Sequence, residues 1–160
     1  AVIDLSVDIA GLRLKNPVLT ASGTFGYGRE ASEIYDLSLL GGVMVKGVSL
    51  EPWSGNAPTR IARTASGMLN AIGLQNPGLR HFLEADLPFL RGYDTAVIVN
   101  VVGHGEDEFV QVAAAVSKAA GVHAVELNIS CPNVEDGLLF SHDPERAHAL
   151  VAAVRQVTGL

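Results

Sequence analysis

The sequence predicts an α/β fold built on a parallel sheet, and three observations carry that prediction. Short apolar runs alternate with longer stretches of helical periodicity, strand before helix, in four successive units. The crossovers between such units are right-handed in nearly all proteins, which fixes how each strand lies beside the last. Hydrophobic residues make up 48% of the chain and charged residues 18%, a balance that suits a largely buried sheet and excludes a disordered chain.

The elements follow in order. Residues 2–14 alternate apolar and polar side chains on either side of Ala10-Gly11, which reads as an antiparallel hairpin whose apolar face covers something else, such as the bottom of a barrel. A short buried strand is expected over 17–23, then a helix over 29–40 and a strand over 42–48. A long loop fills 49–77. The helix at 78–90 places Leu79, Phe82, Leu83 and Leu87 on one side. A strand over 96–102 precedes a helix over 106–120, whose first turn holds Glu106, Asp107 and Glu108 at the positive end of its dipole. The last strand is expected over 124–129 and the last helix over 144–157, with Asp143 as its cap.

Two architectures fit this rhythm, a doubly wound sheet and part of a (β/α)₈ barrel. A whole barrel takes ~250 residues, and the 160 here supply the hairpin and four units. The expectation is therefore a single domain, 1–160, forming part of a barrel.

Composition narrows the function classes. A net charge of -6 gives no support to nucleic-acid or anionic-membrane binding. No apolar run reaches the ~18 residues that span a bilayer, and no signal segment is read at the start. A single cysteine cannot form an intrachain disulfide. A soluble, cytoplasmic setting is expected. The five histidines are scattered without metal-ligand spacing, so no metal site is expected.

The candidate chemistry sits at strand ends. In Glu126-Leu127-Asn128-Ile129-Ser130-Cys131-Pro132-Asn133 a buried strand breaks at a proline, leaving Cys131 just past its carboxyl end. That is where parallel α/β folds collect ligands. Cys131 can serve as base or nucleophile, or be an inert buried thiol. Lys46 lies within an apolar strand, where a lysine rarely goes unpartnered; it either serves an anionic ligand or snorkels from the strand end. Asn100 and Asn128 occupy matching strand positions, which indicates a shared ligand, or bonds to each other or to nearby backbone.

On the long loop, Asn70 offers a donor and an acceptor to an amide-like heterocycle, with Ile72, Gly73 and Leu74 as backbone groups and apolar wall. Loops of this length are usually functional. Ala21, Ser22 and Gly23 end the first strand with small residues that let a flat or phosphorylated ligand approach the backbone. Their glycine spacing is not that of a dinucleotide fingerprint.

Together Ala21-Ser22-Gly23-Thr24-Phe25-Gly26-Tyr27-Gly28, Lys46-Gly47-Val48-Ser49-Leu50-Glu51-Pro52, Asn70-Ala71-Ile72-Gly73-Leu74-Gln75-Asn76-Pro77-Gly78 and Asn128-Ile129-Ser130-Cys131-Pro132-Asn133 resemble class 1B dihydroorotate dehydrogenases, specifically their catalytic, FMN-binding subunit. The motifs run through the whole chain in the family's order. The cysteine separates it from class 2 members, which use serine, and Gln75-Asn76-Pro77-Gly78 favours 1B over 1A.

The resemblance implies a (β/α)₈ barrel that oxidises dihydroorotate to orotate in pyrimidine biosynthesis. It implies Cys131 as the base for the C5 proton. Lys46, Asn70, Asn128 and Asn133, with backbone from Ile72, Gly73 and Leu74, would hold the pyrimidine. Ala21, Ser22, Lys46, Gly47, Asn100 and Asn128 would line FMN. Electrons would pass to NAD through a partner subunit carrying FAD and an iron–sulfur cluster, within a heterotetramer built on a dimer of catalytic subunits. Later strands would add a further lysine and the phosphate site, so this stretch alone is expected to bind FMN poorly and not to turn over.

Trp53 and His104 depart from the pattern, standing where an arginine- or proline-like residue and a small polar residue are expected. Other readings are a dihydropyrimidine dehydrogenase-like module, a tRNA dihydrouridine synthase, which the acidic balance argues against, and a catalytically silent half-barrel.

Overall fold

The computed structural model describes residues 3–130 and 140–160. Alternating side chains near the amino end form a hairpin, β1 (Val7–Ile9) and β2 (Leu12–Leu14), paired antiparallel with Val7 opposite Leu14. Ala10 and Gly11 at its tip both take positive φ, 51° and 95°, the two-residue geometry whose twist matches the strands. The hairpin is shorter than expected because Asp4 accepts the Ser6 amide at 2.9 Å and turns the backbone before β1.

Three expectations along the next stretch are corrected. The strand over 17–23 pairs in the sheet only at Leu19, opposite Gly42. Beyond it the Thr20 hydroxyl accepts from the Met44 amide at 2.8 Å and donates to the Met44 carbonyl at 3.1 Å, so a side chain stands in for the ladder. The helix over 29–40 is a single turn, α1 (Arg29–Ser32), followed by a 3₁₀ turn at Leu37–Leu39. Asp36 explains the break: its carboxylate accepts the Ser38 amide at 2.9 Å and starts a new turn from extended backbone. The strand over 42–48 keeps its ladder only through β3 (Gly42–Met44). The Lys46 amide then donates to the Gly26 carbonyl at 2.8 Å, and the chain rejoins the sheet at Val48, opposite Val101.

The long segment 49–77 is not a structureless loop. It contains a second hairpin, β4 (Ile61–Thr64) and β5 (Gly67–Asn70), with Ile61 opposite Asn70. Every residue of both strands is exposed, so no buried face imposes the alternation that would mark them in sequence.

The helix over 78–90, α2, is continuous but widens in the middle, running through Gly78–His81, a π-type stretch at Phe82–Asp86 and Leu87–Leu90. Leu87 donates to the carbonyl five residues back, at Phe82. Pro88 follows with no amide to give, and a widened turn accommodates it. The remaining elements follow expectation, with slightly shorter carboxyl ends in β6 (Ala96–Val101), α3 (Glu106–Ser117) and β7 (Ala124–Leu127) and the expected bounds in α4 (Pro144–Val157). Asp143 caps α4, accepting the amides of Glu145 and Arg146 at 3.0 and 3.2 Å. Among the described residues no helix is long and apolar enough to cross a membrane.

The central sheet is parallel, in the order β3-β6-β7, with Met44 opposite Ile98 and Ile98 opposite Ala124. Alternation sorts its side chains. Val43, Val45, Val97, Val99 and Val101 face outward into a core with Phe82, Leu87 and Leu90 of α2, Phe109, Val112 and Val116 of α3, and Leu150 and Val154 of α4. On the opposite face, Met44, Ile98 and Ala124 meet Ile9 to Leu12 of the first hairpin around a cavity of about 640 Å³. The hairpin therefore covers the amino end of the sheet. Toward the carboxyl end the same face turns polar.

Candidate functional site

That polar end holds a cavity of about 270 Å³ assembled from five separate segments. Ser22 and Gly23 come from the first strand's end, Lys46 and Gly47 from the detour after β3, Asn70 to Leu74 from the segment leaving β5, and Asn100 and Asn128 from β6 and the residue following β7. Ala21 does not line it; its carbonyl takes the Thr24 amide at 3.1 Å and closes a turn. Cys131 and Asn133 lie outside the described residues.

Lys46 reaches the cavity because its strand leaves the ladder. Burial, and behind it the charge of Arg60, hold its ammonium below the usual lysine range. A half-buried lysine lining the cavity, with a second cation near enough to lower its ammonium, suits an anion. Tyr27 buttresses the detour, donating to the Gly47 carbonyl at 2.9 Å, and its phenol is pushed well up by burial and by the charge of Asp86.

The opposite wall is rooted at Asn76, only 5% exposed. Its side-chain oxygen accepts the amides of Ser49 and Gly78 at 3.2 and 2.9 Å and the Ser49 hydroxyl at 2.8 Å, while its nitrogen donates to Leu74 at 3.0 Å. Replacing Asn76 by alanine strands the two buried amides of Ser49 and Gly78, while the Ser49 hydroxyl keeps the Glu51 carbonyl as an acceptor. We expect Asn76→Ala to lower stability by about 3 kcal/mol in urea unfolding, from unsatisfied buried donors. A loss within a few tenths would show the root to be dispensable.

Leu74 adds a second signature of a built wall, since it holds φ 51°, a conformation leucine rarely adopts. Gly73 before it, at φ 74°, leaves no room for a side chain: a Cβ there would fall 2.6 Å from the Asn56 nitrogen.

Asn100 and Asn128 share the cavity, but Asn100 also has a partner that sequence reasoning passed over. Its side-chain nitrogen donates to Glu126 Oε2 at 2.5 Å. Asn100 and Glu126 are directly opposed in the β6–β7 register. The signal was present in sequence, because Glu126 lies two residues from Asn128 and so on the same face. Arg60 was also passed over. It sits at the foot of β4, donating to Gln75 at 2.5 Å and to the Ser54 carbonyl at 3.1 Å, and nothing in the sequence alone ties it to Lys46.

Comparisons with known proteins align with this geometry. The family model described as dihydroorotate dehydrogenase matches residues 4–159. The chain is 54% identical over 157 residues to "Dihydroorotate dehydrogenase B (NAD(+)), catalytic subunit" of Bacillus pumilus, covering 98% of this chain and 51% of that protein. It is 55% identical over 157 residues to the protein of the same name from Listeria monocytogenes, covering 98% and 52%. Among solved structures, it superposes on a crystal structure of DHODH in complex with ferulenol from Eimeria tenella with a TM-score of 0.73 at 20% identity. That superposition spans 96% of this chain and 43% of the other, and it concerns the fold alone. The chain spans about half the length of the curated relatives it matches. A family match running from residue 4 to residue 159, over a chain whose strand ends converge on one polar cavity, means that this protein belongs to the dihydroorotate dehydrogenase family.

Proposed function

We propose that the chain forms one side of an FMN-binding (β/α)₈ barrel that oxidises dihydroorotate to orotate in pyrimidine biosynthesis. The observation that carries this reading is the convergence of Lys46, Asn70, Asn100 and Asn128 on one cavity at the carboxyl end of a parallel sheet. Strand order supports the barrel. The Leu19 bridge, β3, β6 and β7 lie side by side in chain order, without the reversal that defines the crevice of a doubly wound sheet.

The residues present fit the ring of a flavin. Gly23 lines the cavity, and a Cβ built on it would meet nothing within 4 Å, so bare backbone faces the space. The amides and the lysine supply donors and acceptors for a flat, polar-edged group. Ser22, Lys46, Gly47, Asn100 and Asn128 would hold FMN, with Ala21 supporting them from the turn it closes with Thr24, and FMN supplies a hydride acceptor when bound.

This chain's own residues do the rest. Lys46, Asn70, Asn128 and Asn133, with backbone from Ile72, Gly73 and Leu74, fix the dihydroorotate ring and its carboxylate. Cys131 takes the proton from C5 as C6 gives up its hydride, so the C5–C6 single bond becomes the double bond of orotate. Fixing the ring is essential, because the base and the acceptor must reach adjacent carbons at once. The names of the Bacillus pumilus and Listeria monocytogenes relatives, with NAD(+) and "catalytic subunit" in them, support an electron-transfer partner. That partner would carry FAD and an iron–sulfur cluster and pass electrons to NAD, in a heterotetramer around a dimer of catalytic subunits.

The test is anaerobic mixing of dihydroorotate with the full-length, flavin-loaded protein. Rapid bleaching of the flavin band is the expected result. A protein that purifies without flavin, or whose flavin keeps its colour with dihydroorotate, would overturn the reading.

A further inference from the structure

Trp53 and His104 lie on separate segments, yet their ring centroids are 4.3 Å apart at an interplanar angle of 47°. Trp53 is on the 49–77 segment and His104 in the turn between β6 and α3. Each ring is held from behind. The Trp53 amide and carbonyl pair with those of Asn76, both at 3.0 Å. The His104 amide donates to Glu108 Oε2 at 2.9 Å, and its Nδ1 lies 3.2 Å from the same oxygen. Gly103 packs the turn flat against α3, where a Cβ would fall 2.9 Å from that of Glu108.

The contact thus joins two anchored supports, and the cavity lies between the segments they carry. Behind Trp53, Asn56 donates to the Ile72 carbonyl at 3.0 Å and to Ala71 through its side chain at 3.0 Å, tying it to the wall at 70–74. Before His104, β6 carries Asn100. The other side-chain bonds of this wall, from Arg60 to Gln75 and Ser54 and between Asn76 and Ser49, Leu74 and Gly78, stay within residues 49–78. Neither Trp53 nor His104 lines the cavity.

We propose that Trp53 and His104 are positioning residues, whose abutting, tilted rings hold the 70–74 wall at a fixed distance from Asn100 and so set the affinity for the pyrimidine without touching it. This rests on the cavity being the pyrimidine site. An aromatic pair of this kind contributes a modest energy beyond its buried area, and the effect belongs to the pair.

The experiment uses the full-length, FMN-loaded protein, with orotate binding read from the flavin difference spectrum. Trp53→Ala and His104→Ala are each expected to weaken orotate by about fivefold. The double variant should be no weaker than either single one, because both remove one contact. Trp53→Phe should restore most of the affinity, and kcat at saturating dihydroorotate should stay within about twofold throughout. Wild-type affinity in both single variants, or a double variant whose loss is the product of the two, overturns the proposal. If the wild type itself fails to bind orotate, the reading of the site fails, and the pair is judged by amide exchange at Asn56, Ala71 and Asn76. Faster exchange in both single variants sustains the positioning role; unchanged exchange ends it.

Discussion

Replacing Cys131 by alanine in the full-length protein is expected to slow flavin bleaching by dihydroorotate about a thousandfold, the scale of a positioned base. The hydride cannot leave C6 productively while C5 keeps its proton, so removing the acceptor of that proton stalls both transfers. Orotate binding should survive, because in the proposed site the clamp on the ring would come from Lys46 and the amides. Cys131→Ser tests the same point with volume nearly conserved, and should fall between alanine and wild type. Stopped-flow mixing under anaerobic conditions measures the step directly. Bleaching at the wild-type rate in both variants would leave a flavin oxidoreductase whose C5 proton goes elsewhere.

Lys46→Met should weaken orotate binding by about a hundredfold, within the range for removing one partner of a desolvated charge pair. Methionine keeps the length of the stem and loses the charge, so the loss reports electrostatics more than packing. The direction of the lysine's shift adds a pH signature. Burial and Arg60 already favour its neutral form, so the charge is lost at a lower pH than for an ordinary lysine. Orotate affinity should therefore decline on the alkaline side earlier than a free lysine would dictate, and Lys46→Met should flatten that decline. A titration in which Lys46→Met binds orotate like the wild type would remove this residue from the site. Arg60→Gln, in contrast, should move the alkaline decline to higher pH, since it removes one of the two effects that lower the Lys46 ammonium.

The parallel framework was legible in sequence because its strands are buried on the helix-facing side and its helices have clean ends. Val97, Val99 and Val101 announce β6, and Asp143-Pro144 announces α4. What escaped was decided by side chains acting on local backbone. Asp36 divides a helix that its apolar periodicity would continue, and Thr20 replaces a ladder with one hydroxyl. The second hairpin escaped for a different reason: with both faces in solvent, its residues carry no alternation to detect.

The cavity followed the same division. Lys46, Asn70, Asn100 and Asn128 stood out as polar groups in or beside apolar runs, and the structure brings them together. Glu126 shares its strand face with Asn128, a cue that was passed over, but its pairing with Asn100, 26 residues away, is set only by the register. Arg60 is farther still from any sequence cue, since its influence on Lys46 passes through space between two loops.

The alternation along β6 has a consequence for how such a chain can change in length. Ile98 and Asn100 face inward and Val97, Val99 and Val101 outward, so deleting one residue would exchange the two sets. Valines would enter the cavity and an amide would enter the helix core, and binding and folding would fail in a single event. Away from Asn70, which lines the cavity, the β4–β5 hairpin is under no such constraint, because its residues are exposed. Insertions and deletions should therefore accumulate at its tip, around Ala65-Ser66, while the strands beneath keep their lengths.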